Sequence, residues 1–90
     1  MKKEQKPLSE GKQIGVVSNF FEHINVAAIK LDGNLKIGDK IKVVGGEVSF
    51  EQPVDSMQIH GKIIAKAKKG DDVGIKIVEK VRKGYRVYLV

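Results

Sequence analysis

The side chains that could carry out chemistry in this 90-residue chain are few, and their spacing points away from catalysis. Histidine occurs only at His23 and His60, and neither has a second ligand at the spacing of a recognised metal site. Cysteine is absent, which removes thiolate ligands and disulfides and fits a reducing compartment. Asp32-Gly33-Asn34 opens like a calcium loop, but Lys36 and Ile37 fill positions that need an oxygen ligand and a glycine. Gly11-Lys12-Gln13 lacks the hydroxyl residue and the earlier glycine of a phosphate loop. Asp71 and Asp72 follow a glycine, where aspartate serves the turn itself. No nucleophile–base arrangement is legible. The expectation is a chain that is not an enzyme and takes no metal or cofactor.

What remains is binding chemistry. Lys40, Lys42 and Lys76 alternate with apolar residues, and Lys66, Lys68 and Lys69 crowd an expected loop, so these six are the candidate RNA contacts. If adjacent strands bring them together they offer a face that follows phosphates; otherwise they are solvated strand faces and edges, where lysine also blocks unwanted pairing. Phe20 and Phe21 are the candidate stacking or docking pair, one ring inward and one at the surface, unless both cap the end of the core. The formal net charge of +6, from 17 basic and 11 acidic residues, favours polyanionic partners but also serves solubility.

These residues must be held by strands. The chain is rich in Ile and Val, has no Trp, and contains no apolar run long enough to span a membrane as a helix. Leu35-Lys36-Ile37-Gly38-Asp39 approaches a Gly-Asp turn, and Lys40 to Val43 then alternates with the period of a half-buried strand. The pattern returns at Gly70-Asp71-Asp72-Val73-Gly74-Ile75-Lys76-Ile77, with Val73, Ile75 and Ile77 inward, and more loosely from Gly84 to Leu89. The glycines are unequally spaced, so this is recurring turn chemistry and not a tandem repeat.

Strands are predicted at Gln13 to Ser18, with Gly15 marking a bend or close approach, at Val26 to Leu31, and at about Asp39 to Val44. Asn19 to Asn25 reads as a loop or hairpin end, Gly61 to Lys69 as an extended connection, and Glu79 to Lys83 as a charged loop. Pro53 demands a strand start or an edge. Val54 and Met57 have opposite parity, so both face inward only if the chain bulges near Asp55-Ser56. Tyr85 to Val90 is expected to close the sheet. Residues 1–12 read as a flexible basic lead-in, and residues 13–90 as a single domain.

Three pieces in order, Leu35 to Val43, Val54 to Ile59 and Ala67 to Ile75, resemble domain II of the translational GTPases, the elongation factor Tu barrel. The span Ile14 to Val90 is also similar to the barrel appended to collagenase-like peptidases, with Glu47 to Gln58 and Val81 to Val90 adding to that likeness. The resemblance implies an all-β fold, a small closed antiparallel barrel of about six or seven strands that docks tRNA, ribosome or partner domains and does no chemistry. Asn19-Phe20-Phe21-Glu22-His23 replaces the glycine- and arginine-bearing segment of the GTPases, so no contact residue carries over. The functional expectation is a stand-alone, cytoplasmic binding module for RNA or a ribonucleoprotein, with tRNA, rRNA or the ribosome as partner and no membrane. Its alternative is a docking module for a separately encoded enzyme or translation component.

Overall fold

In the computed structural model, which describes residues 11–90, every regular element but one is a β-strand. In chain order these are β1 (Lys12–Phe21), β2 (Val26–Leu31), β3 (Leu35–Lys36), β4 (Lys40–Gly45) and β5 (Val48–Pro53). They continue as β6 (Met57–Ile59), β7 (Lys62–Ile64), β8 (Lys66–Ala67), β9 (Asp72–Lys76) and β10 (Arg86–Leu89). The exception is a 3-10 turn, Glu22–Ile24. Eight strands form one sheet in the order β5-β4-β10-β1-β2-β9-β6-β7, and β3 pairs with β8 in a two-stranded ribbon. All pairings are antiparallel. No helix among the described residues is long and apolar enough to cross a membrane.

The alternation seen in the sequence decides the core. Ile41 and Val43, then Val73, Ile75 and Ile77, are buried together with Ile14, Val17, Ile29, Leu35, Val54, Met57 and Val87 in one cluster. Each full burial of such a side chain contributes about 1.5–3 kcal/mol. Val54 and Met57 are both fully buried, because residues 54–56 leave the ladder between β5 and β6. Val81 anchors the charged loop to the core, which its polar neighbours conceal in the sequence.

Three turns share one geometry. In Lys36–Asp39, Lys68–Asp71 and Arg82–Tyr85, the fourth N–H donates to the first carbonyl at 3.1, 3.0 and 3.1 Å. The third residue is glycine with φ of 97°, 96° and 98°, the left-handed conformation that a type II turn requires there. In the first two, the aspartate Oδ2 also accepts the N–H of Lys36 or Lys68, each at 3.0 Å.

Several expectations are corrected. There are ten strands among the described residues, eight of them in the large sheet, where about six or seven were expected; the extended connection Gly61 to Lys69 supplies two of them, β7 and β8. By backbone pairing the large sheet does not close on itself; β5 and β7 are its edges. Pro53 accordingly ends an edge strand, where its missing N–H costs nothing. The first strand continues through Phe21 instead of giving way to a loop at Asn19. Residues 1–10 of the expected lead-in lie outside the described residues, while Lys12 opens β1. The C-terminal strand does close the two halves of the sheet onto each other: it inserts between β4 and β1.

At the seam between the edge strand β5 and the segment leaving β9, where no ladder forms, a side chain makes the link. Gln52, the one buried polar side chain among the described residues, donates from Nε2 to the carbonyl of Lys76 at 2.9 Å. Its Oε1 accepts the N–H of Val78, also at 2.9 Å. The amide thus links β5 to the chain leaving β9. Nearby, Val54 exchanges hydrogen bonds with the β3–β4 turn, accepting from Gly38 and donating to Asp39.

Candidate nucleic-acid interface

Two irregularities in β1 decide which of its side chains reach the surface. The register slips between Val17 and Asn19, and again opposite Val87 and Tyr88, where Gly15 and Gln13 are the successive partners. Each extra residue flips the parity of the residues beyond it. Ile14, Val17 and Phe20 therefore face the core, while Gln13, Val16 and Phe21 face out. Gly15 sits where a Cβ would come within 2.8 Å of the Lys30 carbonyl, the close approach its sequence position suggested.

The six candidate lysines fall into three groups. Lys40 and Lys42 are on the outer face of β4; Lys40 is 3.5 Å from Glu51, and Lys42 stands opposite Glu51 on β5 and opposite Tyr88 on β10. Lys76 lies four strands away in the sheet order, in register with Val26 and, through it, with Phe21. Lys66 and Lys68 flank the β3–β8 ribbon and its turn, and Lys69 is 4.0 Å from Asp32. Adjacent strands therefore do not gather all six. The two rings separate: Phe20 packs on the core and Phe21 is exposed.

The strands that do flank Lys42 supply residues that local alternation did not single out. Across β4, β10, β1 and β2, Val44, Arg86, Val16 and Lys30 form one outward row. Lys42, Tyr88 and Gln13 form the next. Arg86 and Lys30 are exposed and Tyr88 half-buried. The result is a basic surface with an aromatic ring set into it, bounded by Glu51 on one side and Asp72, the register partner of Lys30, on the other. The signal was present: Arg86 and Tyr88 alternate with the inward Val87 and Leu89. Only the insertion of β10 beside β4 gave it meaning.

Asp39 is held below the usual carboxylate range, first by its hydrogen bond with the Lys36 ammonium; burial opposes this, and the Lys36 N–H and charge add lesser lowering effects. No three His, Cys, Asp or Glu side chains among the described residues stand close enough to hold a metal ion.

No family model matches the chain. It is 47% identical over 79 residues, 87% of its length, to an uncharacterized protease of Methanocaldococcus jannaschii, and it spans 19% of that protein. Among solved structures, the C-terminal domain of a Geobacillus thermoleovorans protein assigned to the U32 peptidases superposes with a TM-score of 0.82 at 17% identity. That match covers 96% of this chain and 98% of the other. Bacterial selenocysteine-specific elongation factor superposes with a TM-score of 0.64 at 27% identity, over 93% of this chain and 16% of the factor. The chain is thus an all-β domain that shares its fold with the C-terminal domain of a U32 peptidase and with a domain-sized stretch of a translational elongation factor.

Proposed function

We propose that this domain is a non-catalytic module that binds single-stranded RNA, free or within a ribonucleoprotein, through the outer face of β4, β10, β1 and β2. The observation that carries the reading is the setting of Tyr88 beside Lys42, one row from Arg86 and Lys30. Cations neutralise phosphates and release counterions, and an aromatic ring stacks on a base of any identity. The sheet then works as a barrel that holds this face in place, with the edge strand β5 tied by the Gln52 amide to the segment leaving β9. A translation setting in the cytoplasm, with tRNA, rRNA or the ribosome as partner, accords with the likeness to an elongation factor.

The test is the affinity for a short single-stranded RNA across a salt series, for the natural chain and for Lys42→Glu with Arg86→Glu. Binding should weaken with salt by a logarithmic slope of about −0.7 per phosphate contact. The double variant should bind more weakly and with a shallower slope. Salt-insensitive binding, or a variant that binds unchanged, would sink the proposal.

One observation favours a second reading, docking onto a separately encoded enzyme. Phe21, Ile24 and Val78 are 41, 51 and 71% exposed. The bond from Ile77 N–H to the Asn25 carbonyl brings Val78 and Ile24 to the same end of the sheet, beyond the Phe21–Val26 register pair. An apolar patch of this kind suits a protein partner. Capture of a protein that survives RNase and is lost with Phe21→Ser would favour docking over RNA.

A further inference from the structure

The cations of the outer face stop short on both sides. Lys42 on β4, Arg86 on β10 and Lys30 on β2 follow one another across the strands. Three strand spacings separate Lys42 from Lys30, about 14 Å across the sheet. In register with Lys42, one strand further out on β5, stands Glu51. In register with Lys30, one strand further out on β9, stands Asp72. Both carboxylates are exposed, so the cationic track is closed by an acid at either end.

The lysines just outside do not extend it. Lys40 lies 3.5 Å from Glu51, and Lys69, beside the Gly70 carbonyl, lies 4.0 Å from Asp32. Inside the track the cations are placed differently. Arg86 makes no ion pair among the described residues. The Lys30 ammonium donates to the Gly70 carbonyl at 3.2 Å, a neutral group that fixes its position without cancelling its charge. Asp72 is fixed as well, with the Ser18 hydroxyl 3.2 and 3.4 Å from its two oxygens. Between the cations, the Tyr88 ring and the exposed Val16 give a base something to rest on.

Each cation can neutralise one phosphate, and a carboxylate where the next phosphate would lie repels it. We propose that this face takes an unpaired RNA stretch of about four nucleotides, whose three phosphates meet Lys42, Arg86 and Lys30, with Glu51 and Asp72 setting its length. The strand runs across the β-strands and stacks a base on Tyr88. Such a site suits the splayed nucleotides of an RNA loop or bulge, and not a long tract or a duplex. The inference deepens the RNA reading and rests on it.

The test measures affinity and salt dependence of the full chain for oligouridylates of about two to ten nucleotides, and for a blunt RNA duplex. Affinity, corrected for the extra registers on longer strands, should rise to about four nucleotides, the shortest strand with three phosphodiesters, and then level off. The logarithmic salt slope should level off with it at about −2, from three contacts at about −0.7 each. The duplex should bind more weakly than the tetranucleotide. Glu51→Gln with Asp72→Asn releases Lys40 and keeps an acceptor for Ser18. That variant should hold the tetranucleotide much as before and steepen the slope on the longest strand by about one contact. A slope that keeps growing with length in the natural chain, or a double variant with the natural slope on the longest strand, overturns the proposal while the RNA reading stands. A duplex that binds as tightly as the tetranucleotide, or no binding of any RNA, overturns the RNA reading and this inference with it.

Discussion

The N–H of Val78 donates to Oε1 of Gln52 at 2.9 Å, and this contact joins β5 to the segment leaving β9, which no ladder connects to it. With the bond from Gln52 Nε2 to the Lys76 carbonyl, one side chain satisfies a backbone donor and a backbone acceptor at the seam. Gln52→Leu keeps similar bulk but leaves both groups without their partner. Each of these part-buried hydrogen bonds contributes about 0.5–1.5 kcal/mol net, so the variant should lose about 1–3 kcal/mol. Urea denaturation should show a lower midpoint with an unchanged slope; an unchanged midpoint would mean that water or relaxation replaces the amide.

Acid should act through Asp39. Its carboxyl titrates below the ordinary aspartate value of 3.8 because Lys36 bonds to the charged form. A depressed folded pKa contributes stability that is present above the unfolded pKa and is lost as pH falls through the folded value. The wild-type melting temperature should therefore drop more steeply below about pH 4 than that of Asp39→Asn, which keeps an acceptor for the Lys36 N–H but carries no charge. Parallel acid limbs in the two melting profiles would remove Asp39 as the cause.

Gly15→Ala should be costly for a steric reason. The added methyl would meet the Lys30 carbonyl at 2.8 Å and a methyl of Ile29 at 2.9 Å. The β1–β2 ladder must shift to admit it, at about 1–3 kcal/mol. Gly38→Ala meets nothing within 4 Å and suffers only from its φ of 97°, a cost of about 1 kcal/mol. Denaturation of both variants should rank them in that order.

On the proposed RNA face, Tyr88 and Arg86 should fail in different ways. Tyr88→Ala should weaken binding of single-stranded RNA about tenfold at all salt concentrations, because stacking contributes about 1–3 kcal/mol per base. Tyr88→Phe should retain it. Arg86→Ala should instead flatten the salt dependence by about one contact. Identical salt slopes for the Tyr88 and Arg86 variants would argue that the ring and the cation do not act as assigned.

The Lys40–Lys42 pair was legible as outward-facing from alternation alone, whereas which of Phe20 and Phe21 lies at the surface was not. Arg86, Tyr88 and Lys30 were not recognisable beside them. Their partners on β4 and β1 lie far away in sequence, and no local pattern encodes which strand a lone alternating segment will join. Lys76 obeyed the same alternation and still landed four strands from Lys42.

What the sequence determined by itself is the part of the fold with a short range. Period-two alternation set which face of β4 and β9 is buried, and glycine followed by aspartate set the turns at Asp39 and Asp71, since both act within a few residues. The tertiary structure decided where β10 inserts, how two slips in β1 place Ile14, Val17 and Phe20 all inward, and that Gln52 meets Val78 beyond the end of β9. Those outcomes depend on pairing between distant segments, which is chosen by the fit of the whole core and the hydrogen bonds left over after it forms.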